Sequence, residues 1–261
     1  MNIIIISLLS GVVGMGIGAL LTAFFGNRTD KMVSIFLSFA GGVMLSIVFF
    51  ELLPEAAAHS GMMVAIAGLA LGVLSILVLN RIMDKVSLKG GKYAKLHGNY
   101  AEFFHASGMF EGKNSMLRSG MLMLFAIGLH NVPEGLAMGA AGHHDMRLGI
   151  SLAVLISLHN IPEGMAVSAP LIAGGVSKLR SIILTLVVGS TTVVGAILGV
   201  AFGGLSSLAV AISFSLAGGA MLYVVFGEIL PQSVVTNRDR MPTVFVLAGI
   251  AVGMLFTGLF A

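Results

Sequence analysis

Residues 129–140 read LHNVPEGLAMGA, and residues 158–169 read LHNIPEGMAVSA. The two stretches are offset by 29 residues and match at eight of twelve positions. Each lies near the middle of an apolar stretch long enough to cross a bilayer, which takes about 20 helical residues. Ionisable side chains are costly inside a membrane and usually mark a functional site there. This duplicated motif therefore indicates both the class of fold and the place to look for function.

The whole chain has the composition of an integral membrane protein. Of its 261 residues, 57% are hydrophobic and 10% are charged, and the mean hydropathy is +1.04. A soluble domain carries about 25% charged residues, so a soluble enzyme is excluded. The sequence pI of about 9.4 does not indicate nucleic-acid binding, because membrane proteins keep lysine and arginine in their cytoplasmic loops. Cysteine is absent, which excludes disulfides, thiolate metal sites and cysteine nucleophiles.

Eight apolar stretches predict an all-α membrane protein with eight transmembrane helices and a single transmembrane domain over residues 1–261. The one long polar segment, residues 81–118, predicts a cytoplasmic loop with a short amphipathic helix around residues 93–104. Thirteen of the fourteen basic residues fall in alternate loops, so the positive-inside rule places these loops in the cytoplasm and both termini outside. The predicted spans cover residues 3–25, 32–53, 61–80, 119–140, 148–173, 181–202, 205–230 and 242–261.

A second internal repeat joins spans two and seven. Residues 40–54 read AGGVMLSIVFFELLP and residues 217–231 read AGGAMLYVVFGEILP, with ten of fifteen positions matching at an offset of 177. Both repeated pairs join spans that run in opposite directions. We therefore expect inverted repeats, with spans 1–3 related to spans 6–8 and span 4 related to span 5. This architecture is typical of secondary transporters, which bind substrate near the midplane between the repeats.

The motif of spans four and five predicts a metal site. His130 and Glu134 are four residues apart and share one helix face, as do His159 and Glu163. Two imidazoles and two carboxylates suit a borderline divalent cation such as Zn²⁺, Fe²⁺, Mn²⁺ or Co²⁺. Two carboxylates neutralise one such ion, and the empty site is expected to hold a proton, so metal entry is linked to proton release. The alternative is a structural cluster of interhelical hydrogen bonds or ion pairs.

With these motifs, the chain resembles the ZIP (Zrt/Irt-like) family of metal transporters. The duplicated HN(V/I)PEG motif, the eight spans, the outside termini and the long loop after span three carry the resemblance. It implies uptake of divalent transition metal ions into the cytoplasm, a membrane homodimer, and an elevator-like movement of the spans that hold the metal. It also implies that the main metal site consists of His130, Glu134, His159 and Glu163.

Many members of that family have an adjacent second metal site, and here two of its carboxylates are missing. Asn131 matches the family pattern, Asn160 stands where an aspartate is expected, and Thr192 stands where a glutamate is expected. We therefore expect one strongly bound metal ion, with at most a weak second site through Asn131, Asn160 and Thr192.

Further acidic residues lie near the ends of spans two and seven. Glu51, Glu55 and His59 are expected to form an entry point for metal, and Glu228 an exit point at the opposite side. The alternative is that these are interfacial carboxylates beside prolines, with capping or snorkelling roles.

Two classes of function fit the metal site. The first is a transporter of divalent ions in the plasma membrane of a prokaryote, with Zn²⁺ as the expected ion and Fe²⁺, Mn²⁺, Co²⁺ and Cd²⁺ as further substrates. The second is an intramembrane zinc-dependent hydrolase, which would lack both the His-Glu-x-x-His pattern and an evident general base. The expected partners are metal ions, membrane lipid and a second copy of the chain, with no nucleic acid and no cofactor.

Overall fold

The computed structural model describes residues 2–25, 30–87, 113–201 and 207–260, and its regular structure in these ranges is entirely helical. Two short π-helical segments, π1 (Val48–Leu52) and π2 (Val225–Ile229), interrupt the α-helices. The α-helices are α1 (Ile3–Phe25), α2 (Asp30–Ile47), α3 (Leu53–Ser60), α4 (Met62–Ser87), α5 (Lys113–His144), α6 (Met146–Ala173), α7 (Lys178–Gly189), α8 (Thr192–Ala201), α9 (Ser207–Val224), α10 (Leu230–Thr236) and α11 (Met241–Phe260).

Within the described ranges, six helical stretches are long and apolar enough to cross a membrane, and two further apolar stretches, Met62–Val78 and Met241–Leu255, are shorter. Large apolar side chains such as Phe24, Met63 and Leu71 are exposed on the outside, while serines, amides and carboxylates are buried inside. This distribution is the one that a lipid environment selects. The prediction of an all-α membrane protein is confirmed, and the count of eight spans stays a prediction.

The helices on either side of the long polar segment extend past the predicted limits. The third predicted span continues as α4 to Ser87, and α5 already begins at Lys113. The predicted limits followed the fall in hydropathy, but a helix can continue into water as long as its residues favour helix. The predicted amphipathic helix around residues 93–104 lies outside the described residues.

The sixth predicted span is interrupted rather than continuous. Helix α7 ends at Gly189, and α8 begins at Thr192 after a turn. In this turn, the hydroxyl of Ser190 donates to the carbonyl of Val187, and that of Thr191 donates to the carbonyl of Val188, each at 2.7 Å. Such local side-chain bonds compete with the helical backbone pattern, which explains a break that hydropathy alone does not reveal.

The helices pack into two groups. In the first bundle, α1 packs on α6 and α7, and α5 packs on α6 and α8. In the second bundle, α2 packs on α11 and α4 packs on α9, with α3, α10, π1 and π2 attached to them. The bundles meet where α2 contacts α6 and where α9 contacts α5. One hydrophobic cluster joins both bundles and contains Met15, Met44, Met123 and Met221.

Glycines bring the helix backbones within each bundle close together. A Cβ atom added to Gly18 of α1 would collide with the backbone carbonyl of Ile161 in α6, and one added to Gly195 of α8 would collide with that of Val132 in α5. Small residues allow this close approach in membrane helix pairs, where dispersion and interhelical contacts replace the hydrophobic effect. The first bundle is therefore held together by direct contact of helix backbones.

Candidate metal centre

Three buried side chains from α5 and α6 converge at the place that the duplicated motif predicts. His130 and Glu134 lie one turn apart on α5, and Glu163 lies on α6. The Nε2 atom of His130 is 2.9 Å from Oε1 of Glu134 and 3.5 Å from Oε1 of Glu163. One ligand atom from each of the three residues lies within 4.8 Å of the others. An imidazole nitrogen and two carboxylate oxygens can thus bind one cation together.

The local sequence explains how α5 and α6 present these ligands. Pro133 and Pro162 lie within continuous α-helix, just before the two glutamates. Proline has no N–H, so the carbonyls of Leu129 and Leu158, one turn earlier, lose their usual helical donors. The motif therefore combines side-chain ligands with backbone carbonyls that are free of their normal helical bond.

The break between α7 and α8 is bonded to α5 beside the ligands. The side-chain amide of Asn131 donates to the carbonyl of Val188 at 3.1 Å, and the hydroxyl of Thr191 lies 3.0 Å from the carbonyl of Gly128. Asn131 is fully buried, and its side-chain oxygen has no hydrogen-bond partner among the described residues. Asn131 thus fixes α7 against the ligand helix and keeps one oxygen available as an acceptor.

The two other residues of the predicted second site lie at the interface with α1. Both polar atoms of the Asn160 side chain are buried without a hydrogen-bond partner in the described part of the chain. A Cβ atom added to Gly14 would lie 2.6 Å from Cβ of Asn160. The hydroxyl of Thr192 lies 3.0 Å from the carbonyl of Ser7 and 2.9 Å from that of Gly189. Thr192 thus serves as a contact between α8 and α1.

His159 is the predicted fourth ligand. Its backbone is part of α6, immediately before Asn160. Its side chain lies outside the described residues, so its role at the centre stays a prediction.

The predicted entry and exit residues lie on the π-helical segments and on α3. Glu51 is half-buried in π1, while Glu55 and His59 are exposed on α3, with 3.8 Å between Oε2 and Nε2. Glu228 is buried in π2. The structure does not bring these residues into the cluster around His130, and Glu228 has its own partners.

The sequence did not indicate the two residues that contact Glu228, Arg118 and Ser119. The hydroxyl of Ser119 donates to Oε2 of Glu228 at 3.1 Å, and the guanidinium of Arg118 lies 3.8 Å from Oε1. In the sequence, Arg118 counts as one of the loop residues that set the topology. One feature of the sequence could have singled out Arg118. The 29-residue offset between spans four and five relates it to a second arginine, Arg147.

Buried carboxylates gathered around one imidazole, on helices that suit a membrane, are the arrangement expected of a membrane protein that handles cations. Comparison with known proteins gives the family. A sequence model of the family described as "ZIP Zinc transporter" matches residues 105–261. The zinc transporter ZupT of Akkermansia muciniphila is 33% identical over 95% of this chain and 95% of its own length. The zinc transporters ZupT of Chlorobaculum parvum and Corynebacterium glutamicum are each 30% identical, over 96% and 91% of this chain and 92% and 91% of their own lengths.

This chain belongs to the ZIP zinc transporter family. It is therefore an integral membrane transporter and not an enzyme. The comparisons give no support to the intramembrane hydrolase that the sequence left open.

Proposed function

We propose that this chain carries Zn²⁺, and less selectively Fe²⁺, Mn²⁺, Co²⁺ and Cd²⁺, through a bacterial plasma membrane into the cytoplasm. The ion binds at a midplane site of His130, Glu134, His159 and Glu163. The buried cluster of His130, Glu134 and Glu163 is the observation that carries this proposal. Zinc is the first choice because the relatives are described as zinc transporters. The other ions follow because nitrogen and oxygen ligand sets bind them in overlapping fashion.

The proposed architecture is an eight-span inverted repeat, with spans 1–3 related to spans 6–8 and span 4 related to span 5. Contacts that recur at the sequence offset support it in the second bundle. A Cβ atom on Gly72 of α4 would collide with the carbonyl of Leu216 in α9, and one on Gly249 of α11 would collide with that of Phe39 in α2. The offset of 177 residues converts one contact into the other.

The first bundle supports the same repeat with both offsets. The contact of Gly18 with Ile161 corresponds to that of Gly195 with Val132. The residue number of the glycine rises by the 177-residue offset, and that of its partner falls by the 29-residue offset. Unrelated helices have no reason to reproduce contacts at fixed offsets. Two related halves can exchange conformations, and this exchange is the basis of alternating access in transporters built from inverted repeats.

The proposed movement is that of an elevator, in which the first bundle moves the metal past the second bundle. His130, Glu134 and Glu163 all belong to helices of the first bundle. Backbone contacts at glycines hold this bundle together, so it can shift as one body without disturbing the distances among its ligands. Its contacts with the second bundle, between α2 and α6 and between α9 and α5, are those that change.

One metal ion per chain is proposed to bind strongly. A weak second ion would rely on Asn131, Asn160 and Thr192. The amide of Asn131 is bonded to Val188, and the hydroxyl of Thr192 lies close to the carbonyl of Ser7. The side-chain oxygens of Asn131 and Asn160 have no hydrogen-bond partner among the described residues, but neutral oxygens bind a second dication more weakly than carboxylates do.

The proposed path begins at Glu51, Glu55 and His59 on the outer side and ends at Glu228 on the cytoplasmic side. This direction follows from the orientation with both termini outside, which the distribution of basic residues supports. We also propose a homodimer, on the basis of the family resemblance.

Metal flux into liposomes tests the function. The purified chain is reconstituted into liposomes that contain a zinc-sensitive dye, and external Zn²⁺ is added. We expect uptake by the natural sequence and a loss of at least tenfold for Glu163→Gln, because one of two ligand carboxylates is removed. Competition by Fe²⁺, Mn²⁺, Co²⁺ and Cd²⁺ in the same assay ranks the ions.

The matched control is Asp239→Asn, which neutralises an exposed carboxylate at the start of α11. An asparagine oxygen can still accept the bond from the Met241 N–H, at 2.7 Å in the natural sequence. Uptake by this variant should equal that of the natural sequence. Absence of zinc uptake by the natural sequence in intact liposomes, or unchanged uptake by Glu163→Gln, contradicts the proposal.

A further inference from the structure

Glu228 is a buried carboxylate with a positively charged partner, Arg118. Only 5% of the residue is exposed. Arg118 is partly exposed and holds its guanidinium 3.8 Å from Oε1, and the buried hydroxyl of Ser119 donates to Oε2 at 3.1 Å. A buried carboxylate is costly unless it is paired and hydrogen-bonded. Arg118 and Ser119 together supply that compensation.

This ion pair joins the two bundles. Arg118 and Ser119 lie near the beginning of α5 in the first bundle, whereas Glu228 lies in π2 of the second bundle. A different ion pair, Lys31 with Asp239 at 3.9 Å, joins α2 to the segment before α11, which belong to the second bundle. Movement of the first bundle past the second must therefore break the Arg118–Glu228 pair and leave the Lys31–Asp239 pair intact.

The two repeat offsets relate the Arg118–Glu228 pair to a second, candidate arginine–glutamate pair. The 29-residue offset relates Arg118 to Arg147, and the 177-residue offset relates Glu228 to Glu51. Arg147 is exposed in the first turn of α6, in the first bundle. Glu51 is half-buried in π1, in the second bundle. Arg147 and Glu51 are thus a candidate second pair, with the same side-chain chemistry as Arg118 and Glu228.

The same offset also relates the packing around the two arginines. A Cβ atom added to Gly120 would lie 2.8 Å from the side chain of Leu171, and one added to Gly149 would lie 2.6 Å from Cα of Gly142. Gly149 and Leu171 follow Gly120 and Gly142, respectively, by 29 residues. This contact between α5 and α6 therefore recurs near the start of each helix.

We propose that Arg118 and Arg147 are alternating gate residues. Arg118 neutralises Glu228 while the cytoplasmic end is closed, and Arg147 neutralises Glu51 while the outer end is closed. This inference rests on the proposed alternating access. When one end opens, its arginine moves away with the first bundle, and the carboxylate left behind faces the path of the dication.

The distribution of basic residues in the sequence supports a role for Arg147 at the outer end. Arg147 is the one basic residue assigned to the outer loops. In the proposed closure of the outer end, Glu51 becomes more buried and Arg147 adds a positive charge beside it. Ser119 corresponds to Leu148, so the outer pair lacks the hydroxyl donor of the inner pair. We therefore expect the natural sequence to favour the state with the cytoplasmic end closed.

Spin-label distances between the bundles test this proposal. Because the chain contains no cysteine, labels can be placed at Leu117→Cys with Val234→Cys at the cytoplasmic end. A second labelled protein carries Met146→Cys with Ala58→Cys at the outer end. All four positions are exposed. Distance distributions are measured by pulsed dipolar spectroscopy in lipid nanodiscs, in the absence of metal.

Glu228→Gln and Arg118→Ala are each expected to lengthen the cytoplasmic distance and shorten the outer one. The ratio of the two states should change roughly tenfold, because a charged hydrogen-bonded partner is lost. Glu51→Gln and Arg147→Ala should shift both distributions the opposite way. The reversal of both charges, Arg118→Glu with Glu228→Arg, should restore the natural distribution. Lys31→Ala is the control and should leave both distances unchanged.

Unchanged distances in Glu228→Gln overturn the proposal, as does an equal shift in Lys31→Ala. The charge-preserving reversal separates loss of pairing from loss of folding, since a merely misfolded Arg118→Glu variant is not rescued by Glu228→Arg. Zinc flux is measured independently. If zinc flux depends on Glu163 but the variants do not change the distances, only the proposed gates are refuted. If the distances change but no zinc flux is seen, only the proposed transport is refuted.

Discussion

The Nε2 atom of His130 lies 2.9 Å from Oε1 of Glu134, one helical turn further along α5. This nitrogen also lies 3.5 Å from Oε1 of Glu163, so it is shared by two carboxylates on two helices. An arrangement of this kind is suited to replacement by a metal ion, which takes the imidazole and both carboxylates as ligands. The centre therefore depends on the position of each carboxylate oxygen as well as on its charge.

The geometry predicts that Glu134→Asp is nearly as harmful as Glu134→Gln. Aspartate keeps the charge but withdraws the carboxylate by one methylene, which takes it away from His130. We expect zinc affinity to fall by about 10- to 100-fold or more in both variants, the range that applies to loss of supporting metal interactions. Isothermal titration with Zn²⁺ measures it. Natural affinity in Glu134→Asp would show that charge alone determines binding.

His159 is a proposed ligand that only the sequence repeat predicts. The substitution His159→Ala is expected to weaken zinc binding about as much as His130→Ala, since the two histidines occupy equivalent positions in the repeat. The control is Asp239→Asn, which neutralises an exposed carboxylate outside the proposed metal path and should leave the midplane affinity unchanged. X-ray absorption at the zinc edge counts imidazole ligands. One imidazole in the natural protein would contradict the four-ligand site.

The clustering of His130, Glu134 and Glu163 was predictable from sequence because such residues are improbable in a membrane helix, whereas metal binding there stays a prediction. A histidine and a glutamate four residues apart fix a shared helix face, and the repeat supplies the second helix. The position of Thr192 was less predictable. Its place in the family pattern suggested a metal-site position, whereas its hydroxyl lies near the carbonyl of Ser7. A contact with α1 depends on helix packing that no local pattern contains.

The remaining features depend on hydrogen bonds between distant residues. The break after Gly189 arises from the hydroxyls of Ser190 and Thr191, which look ordinary within an apolar stretch. The π-helical segments around Glu51 and Glu228 share a sequence repeat, but hydropathy does not distinguish π-helix from α-helix. The positive-inside rule already accounts for Arg118 as a basic residue of a cytoplasmic loop. Its contact with Glu228 depends on helix packing and could not be predicted from the sequence.

Close backbone packing in the first bundle predicts a strong effect of one methyl group. Gly18→Ala places a Cβ atom against the carbonyl of Ile161, and backbone atoms cannot move aside as a flexible side chain can. We expect a cost of about 1–3 kcal/mol and a lower melting temperature in detergent. Gly258→Ala is the control, because its new methyl group has no neighbour within 4 Å among the described residues. Equal melting temperatures for both variants would refute this packing role.

If Glu134 and Glu163 bind the metal as proposed, zinc and protons should compete for the centre. The carboxylates of Glu134 and Glu163 are buried together, and they bind metal only in their ionised form. Zinc binding should therefore release on the order of one proton per ion in a weakly buffered solution. The apparent zinc affinity should fall as the pH is lowered, because protons then occupy the imidazole and carboxylates.

A pH-indicator dye records this proton release during a zinc titration, and repeated titrations across a pH series give the dependence of affinity. Glu163→Gln removes one of the proton-binding groups and should release fewer protons per bound zinc ion than the natural protein. Asp239→Asn removes an exposed carboxylate remote from the cluster and should release the natural number. Zinc binding without proton release at any pH in the series would mean that both carboxylates are ionised before the metal arrives. Their charge in the empty site would then be balanced by other groups of the protein.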